Sequence, residues 1–548
     1  MIYPQTIDSS LLSLREEHKM KSEKKPSPTH IIAVDIGTTT IRSCLFVVER
    51  CERIGEFPDT VEVNYDPFCG KAEIDPDNLW KKFVSVVKRA QDAAPKDAVI
   101  SLSFCTQRNS FLTYEKSNLQ PTTNIILWND KRAKEECERK NKTWKLKLLN
   151  MGAAMLHCLL RLPRLRAAMM LRFIGSMVSF RVVKAIKESP VNQSLLAANK
   201  LAYACLDTWM MLKLTGGKHL ATEPSNVSAT GLFDPFIRDY NHAVLGWMVH
   251  FPRHLLVPIT ESAVTGRPHC YTDPAIFGQS LPLHAVLADQ QSALFGCGGL
   301  KRGDTMISMG TGIFLQKNLE EKPHASMKGL YPLVAWKVDG KISFLAEGQQ
   351  HQSAASIEWA RSQGYFSDVR ETSSIASSVS DSNGVTYVPA IGGLQTPYDD
   401  DRAIDRLFDE RRTETRTETT DAHRMRAVLE GLAFRVHEIF GTMEREIISK
   451  EKSSIRICGG ISSNDFICQT IATLINRPVD RISDSPYAAA RGVALMAGIS
   501  LGKWKIEDVP AMVSVERTFF PKSEDRFRLL ETFSLWQKDV QKCLGQRQ

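Results

Sequence analysis

Asp289 is the side chain whose setting points most directly to chemistry. It closes an apolar run, PLHAVLA, and the residues that follow, QQSALFG, have helical spacing. A strand that ends in a carboxylate beside a new helix carries that carboxylate to the mouth of a fold. The dipole and free N–H groups of the first helical turn favour the ionised form, the state a proton acceptor needs. Gly310 lies twenty-one residues further on, within TMISMGTGIFLQ, where two β-rich runs are joined at Gly310-Thr311-Gly312. Small residues in such a turn let backbone N–H groups approach a phosphate without interference from Cβ atoms. A proton acceptor and a phosphate turn this close in sequence suggest phosphoryl transfer to a hydroxyl.

The elements that must position these groups are legible along the chain. IIAVD (31–35) is a short apolar strand ending in a carboxylate, followed by GTTT and the β-branched run IRSCLFVV. That pattern predicts a hairpin with a small-residue turn, and the G-x-x-x-x-G-K-[ST] pattern of a Walker loop is absent. AVISLSFC predicts a strand running into Thr106-Gln107-Arg108-Asn109, and NIILW another that ends at Trp128. Amphipathic helices are predicted around Leu79, Phe83, Val86 and Val87, around Leu206-Asp207-Thr208-Trp209, and along the stripe from Met425 to Met443. PSNVSATGLFDP carries the residues of a turn-rich loop. SIRICGGISSNDF predicts a strand, a Gly459-Gly460 turn and a helix beginning near Asn464. YAAARGVALMAG predicts a helix whose small residues permit close packing or let a flat base slide past. From about Gly299 the chain repeats the plan of its first half, hairpin first.

Composition narrows the function classes. The 548 residues are enough for two to four domains. The net charge of +8 arises largely from EEHKMKSEKKP near the N-terminus and an Arg-rich stretch near 161–184. With no interleaved basic and aromatic surface, this argues against nucleic-acid binding. The twelve cysteines show no C-x-x-C pair, and no apolar signal segment occupies the first thirty residues, so a cytoplasmic protein with reduced thiols is expected. Residues 1–29 are expected to form a disordered basic tail, and 409–420 (DERRTETRTETT) a solvated loop. Residues 145–187 are long and apolar, but Pro163 and Arg161, Arg164, Arg166 and Arg172 interrupt them. No charge-free span reaches the roughly twenty residues a bilayer requires. A pair of packed helices is the first reading, and a basic amphipathic patch on a membrane surface or partner protein the second.

Taken together, IIAVDIGTTTIR, CTQR, ADQQSALFG, MGTGIF and GGISSN resemble, in order, the motifs of the FGGY family of carbohydrate kinases. DTW at 207–209 and SNVSATGLFDP fit its glycerol kinase branch. The resemblance covers roughly residues 31–515. It implies an α/β fold with two actin-like (ribonuclease-H-like) domains flanking a deep cleft. The N-terminal domain would occupy 30–298 and the C-terminal domain 299–515, with an extension over 516–548. The implied reaction is phosphorylation of glycerol or a similar small polyol by ATP with Mg²⁺, with self-association left open.

The resemblance also assigns roles. Asp289 is implied as the base, Gln290, Arg108, Gln107 and Asn109 as polyol-binding groups, and Phe314 as an aromatic against the polyol's carbon face. Thr38, Thr39, Arg42, Gly310, Thr311 and Gly312 are implied near the phosphates. Ala354, Glu358, Gly460 and Asn464 are implied near the nucleotide, and Asp35 is implied to hold Mg²⁺ directly or through water. Several positions depart from the family pattern. Asn109 stands where these kinases typically carry Glu, Cys458 where they carry Asp, and Ala354 and Glu358 where they carry Gly and Gln. PYDD replaces P-Y-W-D, Arg491 replaces a Leu, and the substrate-contacting Tyr of Y-F-S-G-T-K has no clear counterpart in 170–185. Asn109 and the lost Tyr keep open a kinase for another polyol or ketose, and Cys458, Glu358 and the Arg-rich stretch keep open a nucleotide-binding pseudokinase scaffold. An actin- or chaperone-type ATPase is disfavoured because CTQR and ADQQ resemble a polyol site.

Overall fold

Short apolar strands, most of them buried on both faces, form the centres of the two sheets whose strand ends carry the site. The computed structural model describes residues 27–66, 70–409, 418–448 and 453–545. Most of the predicted tail and of the predicted 409–420 loop lies outside the described residues.

In the first sheet, β1 (His30–Ile36), β2 (Thr40–Val47) and β3 (Glu52–Thr60) form an antiparallel meander. β4 (Ile100–Thr106) and β5 (Pro282–Ala288) extend it in parallel on the other side of β1. Ile31, Ile32, Ala33, Val34 and Ile36 of β1 are all fully buried, as suits a central strand covered on both faces. Ile36 lies opposite Thr106, and Thr106 opposite Ala288. The register therefore brings Asp35, Gln107-Arg108 and Asp289 to the same carboxyl edge, where ligands of such sheets bind.

The second sheet repeats the arrangement. β6 (Thr305–Met309) and β7 (Ile313–Glu320) form the hairpin, followed by β8 (Tyr331–Val338) and β9 (Lys341–Gln350). β10 (Ile455–Cys458) and β11 (Val479–Ile482) run parallel beside β6, and β12 (Val515–Phe519) closes the edge. Gly459 follows β10 with φ +91°, and a Cβ there would lie 2.4 Å from the Met309 carbonyl. Only glycine lets the two turns approach this closely.

Helix α1 (Pro76–Asp92) buries Leu79, Phe83, Val86 and Val87, as its periodicity predicts. In the 145–187 segment, α2 (Trp144–Leu160) and α3 (Pro163–Met169) form a hairpin with Arg161 in the left-handed region between them. Pro163 sits at the first turn of α3, where its missing N–H costs nothing. The packed-helix reading holds for their pairing but not for their coverage, since α2 buries only Leu146 and Ala153 and α3 buries nothing. No described helix is long and apolar enough to cross a membrane.

The two halves meet at a helix crossing. α4 (Asp289–Gly296) packs against α8 (Ala488–Ser500), with α5 (Ser353–Ser362), α6 (Asp421–Glu446) and α7 (Asp465–Ile475) intervening in the chain. A Cβ on Gly492 would lie 1.7 Å from the Ser292 carbonyl oxygen, and one on Gly296 2.0 Å from that of Ala488. The small residues of this stretch thus serve close packing. Gly492→Ala forces the helices apart and is expected to destabilise the protein by about 1–3 kcal/mol. Gly152→Ala, in α2 with nothing within 4 Å of the new methyl, should be neutral or stabilising. Denaturant melts of both variants check this contrast, and equal midpoints would contradict it.

Candidate active site

Between the two sheet edges lies a cavity of about 260 Å³. Asp35, Thr38, Gln107, Arg108, Asn109, Asp289 and Gln290 reach it from the first sheet, and Gly310, Thr311, Gly312 and Phe314 from the second. Arg108, Asp289 and Gln290 therefore converge, as a shared polyol site requires. Thr39, Arg42, Ala354, Glu358, Gly460 and Asn464 do not line this cavity. Arg42 stacks over the Tyr487 ring, and exposed Glu358 pairs with Arg361. Asn464 caps α7, accepting from Ile467 N–H, and donates to the Thr372 hydroxyl. Gly459 and Cys458 line the wall instead.

The carboxylate of Asp289 stands at the start of α4, with Oδ1 accepting from Gln290 N–H at 2.8 Å. The dipole argument suggested a group held firmly ionised. Burial outweighs it: the pKa is pushed up to about 6, with the Arg108 charge pulling down and the Asp35 charge pushing up. The correction has a simple cause, since an eight-residue helix in a water-poor cleft offers less than bulk hydration did. The group remains about nine-tenths ionised at pH 7 and is better matched to proton transfer near neutrality. Asp35 is likewise raised by burial, against the pull of Arg42.

Arg108 is held by a partner that sequence reasoning overlooked. Its guanidinium Nη2 donates to both oxygens of Glu347, at 3.0 and 2.9 Å; Glu347 is buried and the Arg108 side chain is only 9% exposed. Glu347 comes from β9, so the pair spans the cleft; Gln316 on β7 donates to the same carboxylate at 2.7 Å. The available signal was an isolated acid in an otherwise apolar strand, ISFLAEG. Gln107 is engaged elsewhere, accepting from the Thr38 hydroxyl at 2.9 Å and donating to Gly37 O at 3.1 Å. Trp128 Nε1 donates to that hydroxyl in turn, so the first hairpin turn is tied to Gln107 and Trp128.

Asn109 has φ +59°, and its buried Oδ1 has no protein partner. Its backbone carbonyl accepts from Arg181, which also donates to the carbonyls of Ser176 and Leu127. Arg181 belongs to the Arg-rich segment yet is fully buried, and it braces three loops around the cavity. The segment after α3 also contributes directly, through Ile174 and Ser176 on the cavity wall.

PSNVSATG proves to be a short helix, Pro224–Ser228, capped by Glu223 instead of an open loop. Glu223 accepts from Ser225 and Ser262 hydroxyls at 2.5 Å and from Asn226 N–H at 3.0 Å. Asp207 accepts from Thr222 and from Glu223 N–H. The network reaches the site from below, since Ser225 Oγ accepts from Ala288 N–H and Thr106 donates to Asn226. Burial raises Glu223 to about 7 and Asp207 to about 6. A carboxyl raised in the folded state stabilises most at low pH, and that contribution is lost as pH rises through the folded value. The buried histidines are shifted downward and act only below their ordinary range. Above the histidine range the remaining loss of stability should therefore run from about pH 6.5 to about 7.5, and Glu223→Gln should flatten the slope there. Thermal melts across that window test this, and an unchanged slope in the variant would count against it.

This geometry defines a two-domain α/β fold with paired ribonuclease-H-like sheets and a ligand cleft between them. The model for the "FGGY family of carbohydrate kinases, N-terminal domain" matches residues 30–166, and that for the C-terminal domain matches 305–501. "Glycerol kinase 5" of Danio rerio is 37% identical over 500 residues, covering 90% of this chain and 92% of that one. "Glycerol kinase 5" of Homo sapiens is 32% identical, covering 97% and 98%. Plasmodium falciparum glycerol kinase, solved with ADP, superposes with a TM-score of 0.81 at 21% identity, covering 95% of this chain and 99% of its own. The chain belongs to the FGGY family of carbohydrate kinases, phosphotransferases with an alcohol group as acceptor.

Proposed function

We propose that this protein transfers the γ-phosphoryl group of ATP to glycerol, giving sn-glycerol 3-phosphate, with Asp289 as general base. The observation that carries the reading is the meeting of Asp289, Gln290 and Arg108 in one cavity with both small-residue turns. Similarity to proteins named glycerol kinase supports the choice of polyol. Asp289 would take the proton of the attacking hydroxyl as the phosphoryl group arrives. Arg108 and Gln290 would hold the neighbouring hydroxyls, and Phe314 would cover the carbon face. The Gly310–Gly312 and Gly37–Thr39 turns would cradle the phosphates through backbone N–H groups.

Asp35 and Asp289 place two carboxylates on one cavity, and burial raises both. That donor set suits Mg²⁺, which takes one or two carboxylates, keeps several waters and neutralises phosphate charge. Among the described residues no group of three or more His, Cys, Asp or Glu could hold a metal alone. Asp35 would thus hold the ion together with the nucleotide. The Arg108–Glu347 pair and the Trp128–His351 ring contact join the walls of the cleft, and such closure excludes the water that would hydrolyse the phosphate.

A second reading, a different small polyol or ketose, is favoured by Asn109. The carboxylate expected at that position is missing, and Glu347 supplies one from the opposite wall. A coupled ADP-release assay with glycerol and a panel of polyols and ketoses separates the two. Turnover with glycerol is expected. Preference for another acceptor would move the assignment, and retained ATP binding without any turnover would replace it with a scaffold.

A further inference from the structure

The α2–α3 hairpin carries an apolar face that, among the described residues, nothing covers. Trp144, Leu148, Met151, Met155 and Leu159 follow one another at steps of three or four along α2 and form one stripe. Trp144 is 67% exposed and Leu159 79%, and Leu156, Leu160 and Leu162 widen the stripe toward the hairpin turn. Soluble surfaces rarely leave so many large apolar side chains contiguous without a use.

Charge identifies the use. From Arg139 to Lys187 the chain holds twelve Lys and Arg and not one Asp or Glu, in a protein whose net charge is only +8. Of these, Arg181 is buried and Arg139, Arg164, Arg172 and Lys184 pair with Glu136, Asp234, Asp399 and Glu188. Lys145 and Lys147 flank the start of the stripe, and Arg161 and Arg166 its end. Long basic side chains beside an apolar stripe extend toward phosphate headgroups while their stems lie along the acyl region. Trp144 at one end fits the interfacial level where indoles settle. The seventeen residues of α2 are too few to span a bilayer and are suited to lying in its surface. Met and Leu dominate the stripe, giving a deformable face without the fixed pockets of a specific protein interface.

We propose that the α2–α3 hairpin docks this protein onto an anionic lipid surface, its apolar stripe inserted and its basic flanks on the headgroups. The inference is independent of the substrate assignment. The test is sedimentation of the full-length protein with phosphatidylcholine vesicles, with and without phosphatidylserine. Binding is expected to the anionic vesicles and to weaken as salt is raised. Leu148→Glu/Met155→Glu should reduce it by about tenfold or more, and Arg161→Glu/Arg166→Glu should reduce it similarly. Both pairs are surface changes, so unchanged melting and ADP-release activity will show that the fold persists. Trp144 emission should shift to the blue on binding, a change absent in Trp144→Phe. Failure to sediment with anionic vesicles, or binding that survives Leu148→Glu/Met155→Glu, overturns the proposal. So does a concentration-dependent dimer abolished by that double change, which would assign the face to a second copy of the chain.

Discussion

Asp289→Asn is expected to lower turnover by at least about 10²–10⁴-fold, the usual weight of a positioned general base. Affinity for ADP should stay within a factor of about three, since the asparagine preserves shape and the phosphate turns are untouched. Two further readouts separate a lost base from a collapsed site. In the wild type, kcat/KM should rise with pH through an apparent pKa near 6, the value burial gives Asp289. The variant's residual rate should lack that limb. Stability should move the other way: the wild type holds a carboxylate that burial disfavours, so Asn should raise the melting midpoint at about pH 8. The gain should vanish below about pH 4, where the carboxyl is protonated in both folded and unfolded chains. A variant that is inactive and also less stable at pH 8 would point to structural damage instead.

Glu347→Gln carries the second large effect. The pair with Arg108 places the Glu347 carboxylate on the same cavity that Asn109 lines. Removing that charge should raise KM for the polyol by about 10- to 100-fold, the worth of one charge-assisted hydrogen bond. It also leaves the Arg108 charge uncompensated near Asp289, which stabilises the Asp289 carboxylate. The acid limb of kcat/KM should therefore shift below 6, the opposite of what burial alone does. Restoring the carboxylate on the near wall, with Asn109→Glu in the Glu347→Gln background, should recover part of the affinity. A Glu347→Gln enzyme with unchanged KM and limb would remove Glu347 from the site. Loss of one partner from a buried pair also destabilises, so the melt of each variant must accompany its kinetics.

The strands and turns were legible because their chemistry is local. Asp289 closes an apolar run, the Gly310–Gly312 turn follows a β-rich one, and the hairpin that opens each half is visible in the letters. What stayed hidden depends on contacts across long separations. Arg108 was recognisable, but its partner lies 239 residues away, and no local pattern marks Glu347 as facing it. Ser, Asn and Gly in PSNVSATG signal a turn when their side chains bond their own backbone. Here Glu223 gathers Ser225 and Asn226 from below and winds the segment into a helix. The apolar run of 145–187 suggested packed helices first, but such a run cannot say whether a face is covered, and the apolar stripe of α2 is bare. The Asp289 shift was misjudged for the same reason: a helix start is visible in sequence, while the depth of the cleft around it is not.

The central claim is that one carboxylate serves a hydroxyl acceptor while two hairpin turns hold the triphosphate. The most direct measurement is phosphorus NMR of ATP, Mg²⁺ and glycerol incubated with the wild-type protein and with Asp289→Asn. Glycerol 3-phosphate should appear in step with ADP in the wild type, with little inorganic phosphate, and neither product should rise above background in the variant. Inorganic phosphate formed without a phosphate ester, or ester formed equally by both proteins, would contradict it.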